Sequence, residues 1–394
     1  MIPVEDAQTM CLELVRTGHS ETIALADALG RTLAAPVQAK RDQPPFSASA
    51  MDGYAVCEVA QGDVLDVIGE SAAGHGWDGT VAQGQAVRIF TGAPVPNGAT
   101  RVVIQENVSL EGDRVTLVEP INLGTNIRPQ GADFSSDFTL DAPRVLSAAD
   151  LALIAAMNHP EISVARRPKV ALISTGDELL MPGGDPAPDQ IIASNVFALQ
   201  AMLQDAGAKP NVLPIARDTP EALDTVLQQA RDWGADIVVT IGGASVGDHD
   251  LVAPALDRFG VTRSFHKIAM RPGKPLMAGS KGDVAFLGLP GNPVSAVVCG
   301  HLFLLPLVRR ALGQVDVLPR ILTAKLDAPL PKGGPRAHYM RARFHEGPDA
   351  RHVIGFDRQD SSMLTVLADA NCLMLSPIGS AAKETGDSVT ILPI

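Results

Sequence analysis

The sequence predicts a multidomain protein of the α/β plus β class, with a central doubly wound parallel sheet, a β-rich N-terminal subdomain and a small C-terminal β-barrel-like domain. Its 394 residues suffice for two to three domains at roughly 150 residues each. Between residues 167 and 315, apolar runs alternate with helical segments, a pattern typical of parallel sheets covered on both faces. On either side of that region, short apolar runs are separated by Gly, Pro, Asn and Asp, which indicates β structure.

The linking segments are predicted to be helical. Apolar residues at helical spacing predict an amphipathic helix over residues 4–17, which we expect either to belong to this subdomain or to pack on the α/β domain. A second helix is predicted at about residues 25–29, and a third over 146–158 with a capping box. The predicted division is a helical linking subdomain of residues 1–40 and 137–166, a β-rich subdomain of 41–136, an α/β domain of 167–315 and a C-terminal β domain of 316–394.

Charge and composition exclude several classes of partner. The formal charge is −12, from 44 acidic against 32 basic residues, so the surface is unsuited to nucleic acid or to anionic membranes. The four cysteines have no metal-ligand spacing, and we expect unreactive thiols. The apolar stretch at residues 295–308 is judged too short to span a bilayer. We therefore expect a cytoplasmic protein.

Three predicted strands end in Gly-rich or polar loops, on the side where parallel sheets bind ligands. Residues 240–250 combine three glycines, which admit an anion close to the backbone, with Asp248 and Asp250, whose oxygens suit Mg²⁺. In residues 174–178, Asp177 and Glu178 are placed for metal binding or acid–base chemistry. The alternatives are a solvated turn for the first loop and helix capping by Asp177 for the second.

The third loop, residues 289–295, contains two prolines that make it rigid, and Ser295 is expected to cap the following helix. A purely structural turn is the alternative. Between residues 258 and 282 there is no acidic residue, which predicts an oxyanion-binding stretch, with a solvated basic face as the alternative. The bases of this stretch are Arg258, Arg263, Lys267, Arg271, Lys274 and Lys281.

Two further patterns are interpreted as structural. A GxGxxG match at residues 74–79 precedes a strand, not a helix, which argues against a dinucleotide site. His338, His345 and His352 are seven residues apart, which puts neighbours on opposite faces of a strand and argues against a shared metal. The chain contains no P-loop motif, which disfavours an ordinary ATPase.

Six segments occur in order along the chain: SAMDGYA at 49–55, TGAPVP at 91–96, STGDEL at 174–179, GGASVGDHD at 242–250, RPGKP at 271–275 and LPGNPVS at 289–295. In this order and spacing they resemble the molybdopterin molybdenumtransferases, the MoeA family, which includes the C-terminal domain of gephyrin. The resemblance implies the molybdopterin-binding fold, a homodimer and a Mg²⁺-dependent reaction. In that reaction adenylylated molybdopterin and molybdate are the small-molecule substrates, and AMP is released. Molybdopterin adenylyltransferase and molybdoenzyme chaperones are the further partners that it suggests.

The resemblance also implies residue roles. Asp52, Thr91 and Asp133 match positions that reach the site from the neighbouring chain. Arg271 stands where a lysine is common, which leaves a paralogue of reduced activity as an alternative. The implied catalytic residues are Glu178, whose role is open between metal contact and proton transfer, Asp52, Asp218, Asp250, Lys267 and Arg271; the implied metal ligands are Asp218, Asp248, Asp250 and Glu178. The implied substrate-binding residues are Thr91, Asp133, Thr175, Gly242, Gly243, Ser245, Gly247, Lys274, Pro290, Gly291, Asn292, Pro293, Arg341 and Ser361.

Two other functions are weighed. The first is the adenylyltransferase reaction of the same α/β fold, which the extra N-terminal half disfavours. The second is a non-enzymatic scaffold, which is disfavoured because the chain has no adenylyltransferase domain and no long linker.

Overall fold

The central sheet has six strands, and this computed structural model describes residues 1–120, 124–243 and 251–394. The first four strands in spatial order are parallel, and the last two are antiparallel to their neighbours. The predicted fold class is confirmed, with the correction that the sheet is mixed. The strand order is Lys209–Val212, Lys169–Ser174, Ile237–Ile241, Val284–Leu289, Met277–Lys281 and Thr262–His266.

The two antiparallel strands lie in the acid-free segment, where only an anion-binding stretch was predicted. Thr262–His266 pairs with Met277–Lys281, which in turn pairs with Val284–Leu289. In these two strands Arg263 and Lys281 are exposed, whereas Phe265 and the run 277–279 are buried. Two of the basic residues in this segment are therefore exposed on a strand.

Helices cover both faces of the central sheet, and one apolar cluster lies on each side of the sheet. Thr219 is the N-cap of the helix Pro220–Asp232, because its hydroxyl accepts a hydrogen bond from the Ala222 N–H at 3.2 Å. The helices are Val4–Glu13, Asn195–Asp205, Pro220–Asp232, Val252–Phe259 and the continuous run described next.

One helical run is longer than the sequence suggested. Pro293–Cys299, a π-helical turn at Gly300–Leu304 and Leu305–Ala311 form 19 continuous helical residues. Among the described residues this is the one helix long and apolar enough to cross a membrane, so the prediction that it is too short was wrong. Most of the run is buried inside the protein, as in the core helix of a globular domain.

The linking region contains more sheet than predicted. Its four strands are Ser20–Ala24, Glu161–Ala165, Thr32–Leu33 and Arg144–Val145. In place of a second helix there is one 3₁₀ turn, Leu25–Asp27, because the chain before it is held as an edge strand. The capping box at Ser147 and Asp150 is confirmed, and it begins the helix Ala148–Ala156.

The first helix packs on the α/β domain. Val4, Ala7 and Cys11 are buried in the same apolar cluster as the central sheet and the 293–311 run. The backbone of Ile2 also pairs with Ile268 of the acid-free segment.

The β-rich subdomain contains a six-stranded sheet. Of the glycines at residues 74–79, Gly79 packs against the indole of Trp77, which would clash with a Cβ at Gly79 or at Gly69. The strand order is Arg101–Ile104, Gly53–Val56, Gln85–Ile89, Val64–Ser71, Arg114–Leu117 and Val108–Glu111. Short pairs join Val37–Gln38 to Thr139–Leu140, Ala48–Ser49 to Ile127–Arg128, and Leu179–Leu180 to Ile191–Ile192.

The C-terminal domain is a closed five-stranded barrel, as predicted, with one strand and one helix, Leu364–Asp369, that the sequence did not indicate. His345 and His352 are cross-strand partners whose rings stack 5.5 Å apart, so the prediction of opposite faces was wrong for this pair. The barrel strands are Leu322–Leu326, Ala337–Glu346, Arg351–Gly355, Cys372–Ser376 and the unpredicted Ser388–Pro393.

The barrel is joined to the α/β domain by a strand. Met270–Arg271 pairs in parallel with Ala337–His338 at the edge of the barrel. This pairing brings the RPGKP segment and the barrel to the same place.

Candidate active site

A cleft of about 630 Å³ lies at the carboxyl ends of three parallel strands. The loops that follow Lys169–Ser174, Ile237–Ile241 and Val284–Leu289 form its walls, as the sequence predicted. The barrel domain contributes Ser362 to the same cleft. The lining thus combines glycine backbone, hydroxyl and amide groups with the carboxylates of Glu178 and Asp218.

The first loop places Glu178 by means of a glycine. Thr175 and Gly176 donate their N–H groups to the carbonyls of Ile241 and Ala216, at 3.0 and 3.1 Å. Gly176 has φ of 145°, and a Cβ there would overlap the carboxylate of Glu178. The Glu178 carbonyl accepts the Ile191 N–H at 2.8 Å. The loop backbone is thereby held at both ends.

Asp177 holds the segment that carries Asp218, the second carboxylate of the cleft lining. Its carboxylate accepts the N–H of Asp218 at 3.3 Å, and its carbonyl accepts Nη1 of Arg217 at 2.9 Å. The residues that follow form the short strand Leu179–Leu180 instead of a helix, so helix capping by Asp177 is excluded. Asp177 therefore fixes the segment that carries Asp218.

The third loop is rigid and is tied to two neighbours. The Asn195 amide donates to the Gly291 carbonyl at 2.7 Å, and the Asn292 amide donates to Oγ of Ser361 at 3.1 Å. The helix begins at Pro293 with Asn292 in the N-cap position. Ser295 lies inside this helix and is buried, so the prediction that it caps the helix was wrong.

The second loop starts with two glycines in the left-handed region. Gly242 and Gly243 have φ of 96° and 60°. A Cβ on Gly242 would lie 2.8 Å from the carbonyl oxygen of Thr175, so only glycine lets these two loops meet. The remaining predicted residues of this loop, Ser245, Gly247, Asp248 and Asp250, lie outside the described residues.

Arg341 lies buried directly behind the loop that contributes Ser361 and Ser362. Its side chain is completely buried, and Nη2 donates to the Asp360 carbonyl at 2.9 Å. Nε and Nη1 have no hydrogen-bond partner among the described residues. A buried guanidinium with two unsatisfied groups is costly unless an anion completes it. Burial lowers its pKa, the charge of Asp360 opposes this, and the charge of Arg271 adds to it.

The electrostatic potential beside Arg341 is positive. Burial and the charges of Arg271, Arg341 and Arg336 lower the pKa of His338 to about 4, so its ring is neutral at neutral pH. His338 is the strand partner of Arg271. An anion is the ligand that such a neighbourhood would stabilise.

The basic segment lies next to the cleft, to whose lining it contributes Pro275. Backbone hydrogen bonds within the segment fold it back on itself. Lys267, a non-glycine residue with φ of 76°, donates its N–H to Leu276 at 2.9 Å, and Ile268 donates to Lys274 at 3.0 Å. A strained backbone at such a position is typical of functional loops. The segment meets the barrel at Arg271, and none of Lys267, Arg271 and Lys274 is among the described residues that line the cleft.

Two of the four predicted metal ligands lie in the described part of the chain. Glu178 and Asp218 face the same cleft, but no group of three or more His, Cys, Asp or Glu close enough for a metal occurs in the described ranges. Two carboxylates suit Mg²⁺, which completes its shell with water and substrate phosphates.

Comparison with known proteins identifies the family that has this architecture. The MoeA N-terminal region (domain I and II) matches residues 2–158, a probable molybdopterin binding domain matches 171–310, and the MoeA C-terminal region (domain IV) matches 323–394. A molybdopterin molybdenumtransferase from Nostoc sp. is 35% identical and covers 95% of this chain and 89% of its own. The chain belongs to the MoeA family.

Other relatives of this MoeA-family chain agree. A molybdopterin molybdenumtransferase from Bacillus subtilis is 32% identical and covers 100% of this chain and 94% of its own. A crystal structure of a molybdopterin biosynthesis MoeA protein from Pyrococcus horikoshii has a TM-score of 0.85 at 25% identity and covers 100% of both chains. The fold therefore extends over the whole length of the chain.

Asp52 and Thr91 of the MoeA-family chain form a pair in the β-rich subdomain. Oδ1 of Asp52 accepts from both the N–H and the hydroxyl of Thr91, each at 2.7 Å. These two bonds, in that order, lower the pKa of Asp52; burial opposes them and the charge of Arg88 adds to them. Asp133 is exposed, and its N–H donates to the Gln43 carbonyl at 2.9 Å. These residues are on a different subdomain from the cleft walls.

Sequence reasoning missed several residues of the MoeA cleft. Asn195, Ile191, Ile192 and Ser362 line it. Of these, only Asn195 had a local signal, because it is the first residue of a helix. The other three reach the cleft through long-range packing.

Proposed function

We propose that the chain is a molybdopterin molybdenumtransferase of molybdenum cofactor biosynthesis, and that adenylylated molybdopterin and molybdate bind in the 630 Å³ cleft. Its membership of the MoeA family supports this reaction. The cleft offers separate environments for a phosphate-bearing ligand, a divalent cation and a small oxyanion.

The observation that carries the proposal is the buried Arg341, with two unpartnered N–H groups, behind Ser361 and Ser362. The planar guanidinium presents its N–H donors at fixed angles, which suits tetrahedral oxyanions. Lys267, Arg271 and Lys274 supply further positive charge, and Ser361 a hydroxyl. We assign molybdate to this end of the cleft.

The opposite wall is assigned to the adenylylated molybdopterin. At Gly242 and Gly243 the absence of side chains lets a ligand approach the backbone, and Ser245 and Gly247 continue this surface in our assignment. The Gly242 N–H itself donates to the Leu289 carbonyl at 3.1 Å. Thr175 adds a hydroxyl, and the rigid loop of Pro290, Gly291, Asn292 and Pro293 closes the wall.

Mg²⁺ would be held by Glu178 and Asp218 together with Asp248 and Asp250, whose carboxylates are the ligand type that it prefers. When bound, it supplies charge neutralisation at the phosphates that link AMP to molybdopterin. Glu178 either contacts the cation or transfers a proton to the leaving group, and in both roles its carboxylate uses the space that Gly176 leaves at the cleft. Asp218 is oriented through Asp177.

A homodimer completes this assignment. Asp52, Thr91 and Asp133 are placed on a subdomain other than the cleft walls, and we assign them to the cleft of a second copy. The ionised Asp52, held by Thr91, would then face the substrate from the partner. The substrate would be received from a molybdopterin adenylyltransferase in the cytoplasm, and molybdoenzyme chaperones would receive the product.

The test is AMP release from adenylylated molybdopterin by the purified protein. We expect release that requires both molybdate and Mg²⁺ and that is lost in Glu178→Ala. Asp185→Ala, in the exposed segment before Ile191–Ile192, is the control and should keep full activity. Absence of release by the pure protein would contradict the proposal. Consumption of ATP with molybdopterin would indicate an adenylyltransferase, and partner binding without turnover would indicate a scaffold.

A further inference from the structure

Arg88 is enclosed by aromatic rings next to Asp52. Its guanidinium carbon lies 5.1 Å from the centroid of the Tyr54 ring and 4.8 Å from that of Phe90. Arginine over an aromatic face is attracted by the ring quadrupole and is ordered by it. The half-buried Arg88 side chain is therefore fixed in direction, which an arginine on an open surface is not.

Arg88 donates hydrogen bonds to Gly53, which follows Asp52 in the chain, and to Gln105, which bonds to the Asp52 backbone. Nη1 donates to the Gly53 carbonyl at 3.2 Å, and Nη2 donates to Oε1 of Gln105 at 2.6 Å. Gln105 in turn donates its N–H to the Asp52 carbonyl at 3.1 Å. The guanidinium thus clamps the backbone on both sides of the Asp52 side chain.

Strand geometry places Arg88 between the two members of the acidic pair. It is the register partner of Tyr54, two residues after Asp52, and its own strand leads through Phe90 to Thr91. Within the described residues, Arg88 forms no direct ion pair with Asp52, whose Oδ1 is already bonded to Thr91. The Asp52 carboxylate is therefore positioned by Arg88 without being neutralised by contact.

We propose that Arg88 is a positioning residue for the reaction: by clamping Gly53 and Gln105 it sets the orientation of the Asp52–Thr91 pair. The inference rests on the proposed function, in which Asp52 faces the substrate. The contacts of Arg88 also explain why the side chain is an arginine, since a lysine could not make both hydrogen bonds from one planar group.

The test compares Arg88→Gln, Arg88→Lys and Gln105→Ala in AMP release with molybdate and Mg²⁺. For Arg88→Gln we expect kcat to fall about 10-fold or more, because small displacements of a reacting group have effects of this size. KM for adenylylated molybdopterin should stay within about twofold, since Arg88 bonds to Gly53 and Gln105 and in the proposed arrangement does not itself contact the substrate. Arg88→Lys should lie between wild type and Arg88→Gln.

Gln105→Ala removes one partner of the clamp from an exposed position, and it keeps the proposal testable if Arg88→Gln does not fold. We expect it to lower kcat with an unchanged melting temperature. Arg114→Gln is the matched control, because Arg114 is on the same sheet, is exposed and pairs only with Asp66. It should leave kcat unchanged.

The double variant with Asp52→Asn decides how Arg88 acts. If Arg88 works through Asp52, adding Arg88→Gln to Asp52→Asn should change kcat by less than about twofold. Two results would overturn this inference without touching the proposed function. In the first, the kcat losses of the two single variants multiply in the double variant. In the second, Asp52→Asn is slow while Arg88→Gln and Gln105→Ala both keep the wild-type kcat. Full activity of Asp52→Asn would remove the proposed role of Asp52 and with it the role of Arg88, whereas no activity in the wild-type protein would refute the proposed function itself.

Discussion

The Cα of Gly176 faces the carboxylate of Glu178 so closely that residue 176 has no room for a side chain. With φ of 145°, Gly176 also has a backbone conformation that other residues rarely adopt. The glycine of the STGDEL segment therefore does more than form a turn, because it leaves the space that the acidic side chain two residues later occupies.

Gly176→Ala should displace Glu178 and strain the loop. We expect AMP release to fall at least about 10-fold, because the carboxylate moves away from the reacting atoms. Gly183→Ala is the matched control: Gly183 also has positive φ, but a Cβ there would meet nothing within 4 Å. Both variants should lose some stability in thermal melts. An equal loss of activity in the two would show that backbone strain alone is responsible.

Arg341→Met should separate anion binding from stability. Arg341 is a buried charge with two nitrogens that lack hydrogen-bond partners, so its removal should leave the free energy of unfolding unchanged or raise it by about 1 kcal/mol. Molybdate binding, measured by calorimetry, should be lost. Arg343→Met changes an exposed arginine on the same strand, which bonds to the Asp369 carbonyl, and should bind molybdate normally. Unchanged binding in Arg341→Met would place molybdate elsewhere.

Thr91→Val should shift the acid limb of the activity profile to higher pH. The Thr91 hydroxyl is one of the two bonds that lower the pKa of Asp52, and valine keeps only the backbone bond. The pKa of Asp52 therefore rises towards its usual value, and less of the carboxylate is ionised on the acid side of neutrality. Since a depressed folded-state pKa stabilises only above the unfolded-state pKa, the effect on stability disappears at low pH.

AMP release measured against pH tests this shift. Thr100→Val, an exposed threonine in the same subdomain, should leave the profile unchanged. An acid limb that stays in place in Thr91→Val would mean that Asp52 does not control it.

Ser147→Ala should weaken the linking subdomain without affecting the chemistry. The serine hydroxyl accepts the Asp150 N–H in the capping box, and losing such a cap costs about 1 kcal/mol. Chemical denaturation should show this loss. Ser194→Ala is the control, because Ser194 stands at an N-cap position but its side chain makes no capping bond. A similar loss in both would argue against the capping box as the cause.

Much of the fold was predictable because its signals are local. Thr219 and Ser147 begin helices through hydrogen bonds to residues three positions away, and the chain around them is enough to predict this. Glu178 and Gly242 follow buried apolar strands, and parallel strands bring their carboxyl ends to one edge. The two strands in the basic segment were missed, because they show no regular alternation of buried and exposed residues and are defined by pairing with Val284–Leu289.

The sequence by itself determined the class of the fold and the strand ends at which the cleft forms. Only the tertiary structure decided that Arg341 is buried without partners for two of its N–H groups, and that Met270–Arg271 joins the barrel. It also decided that Arg88 clamps the flanks of Asp52. The physical reason is that burial, and the loss of hydrogen bonds to water that comes with it, depends on contacts between residues far apart in the chain.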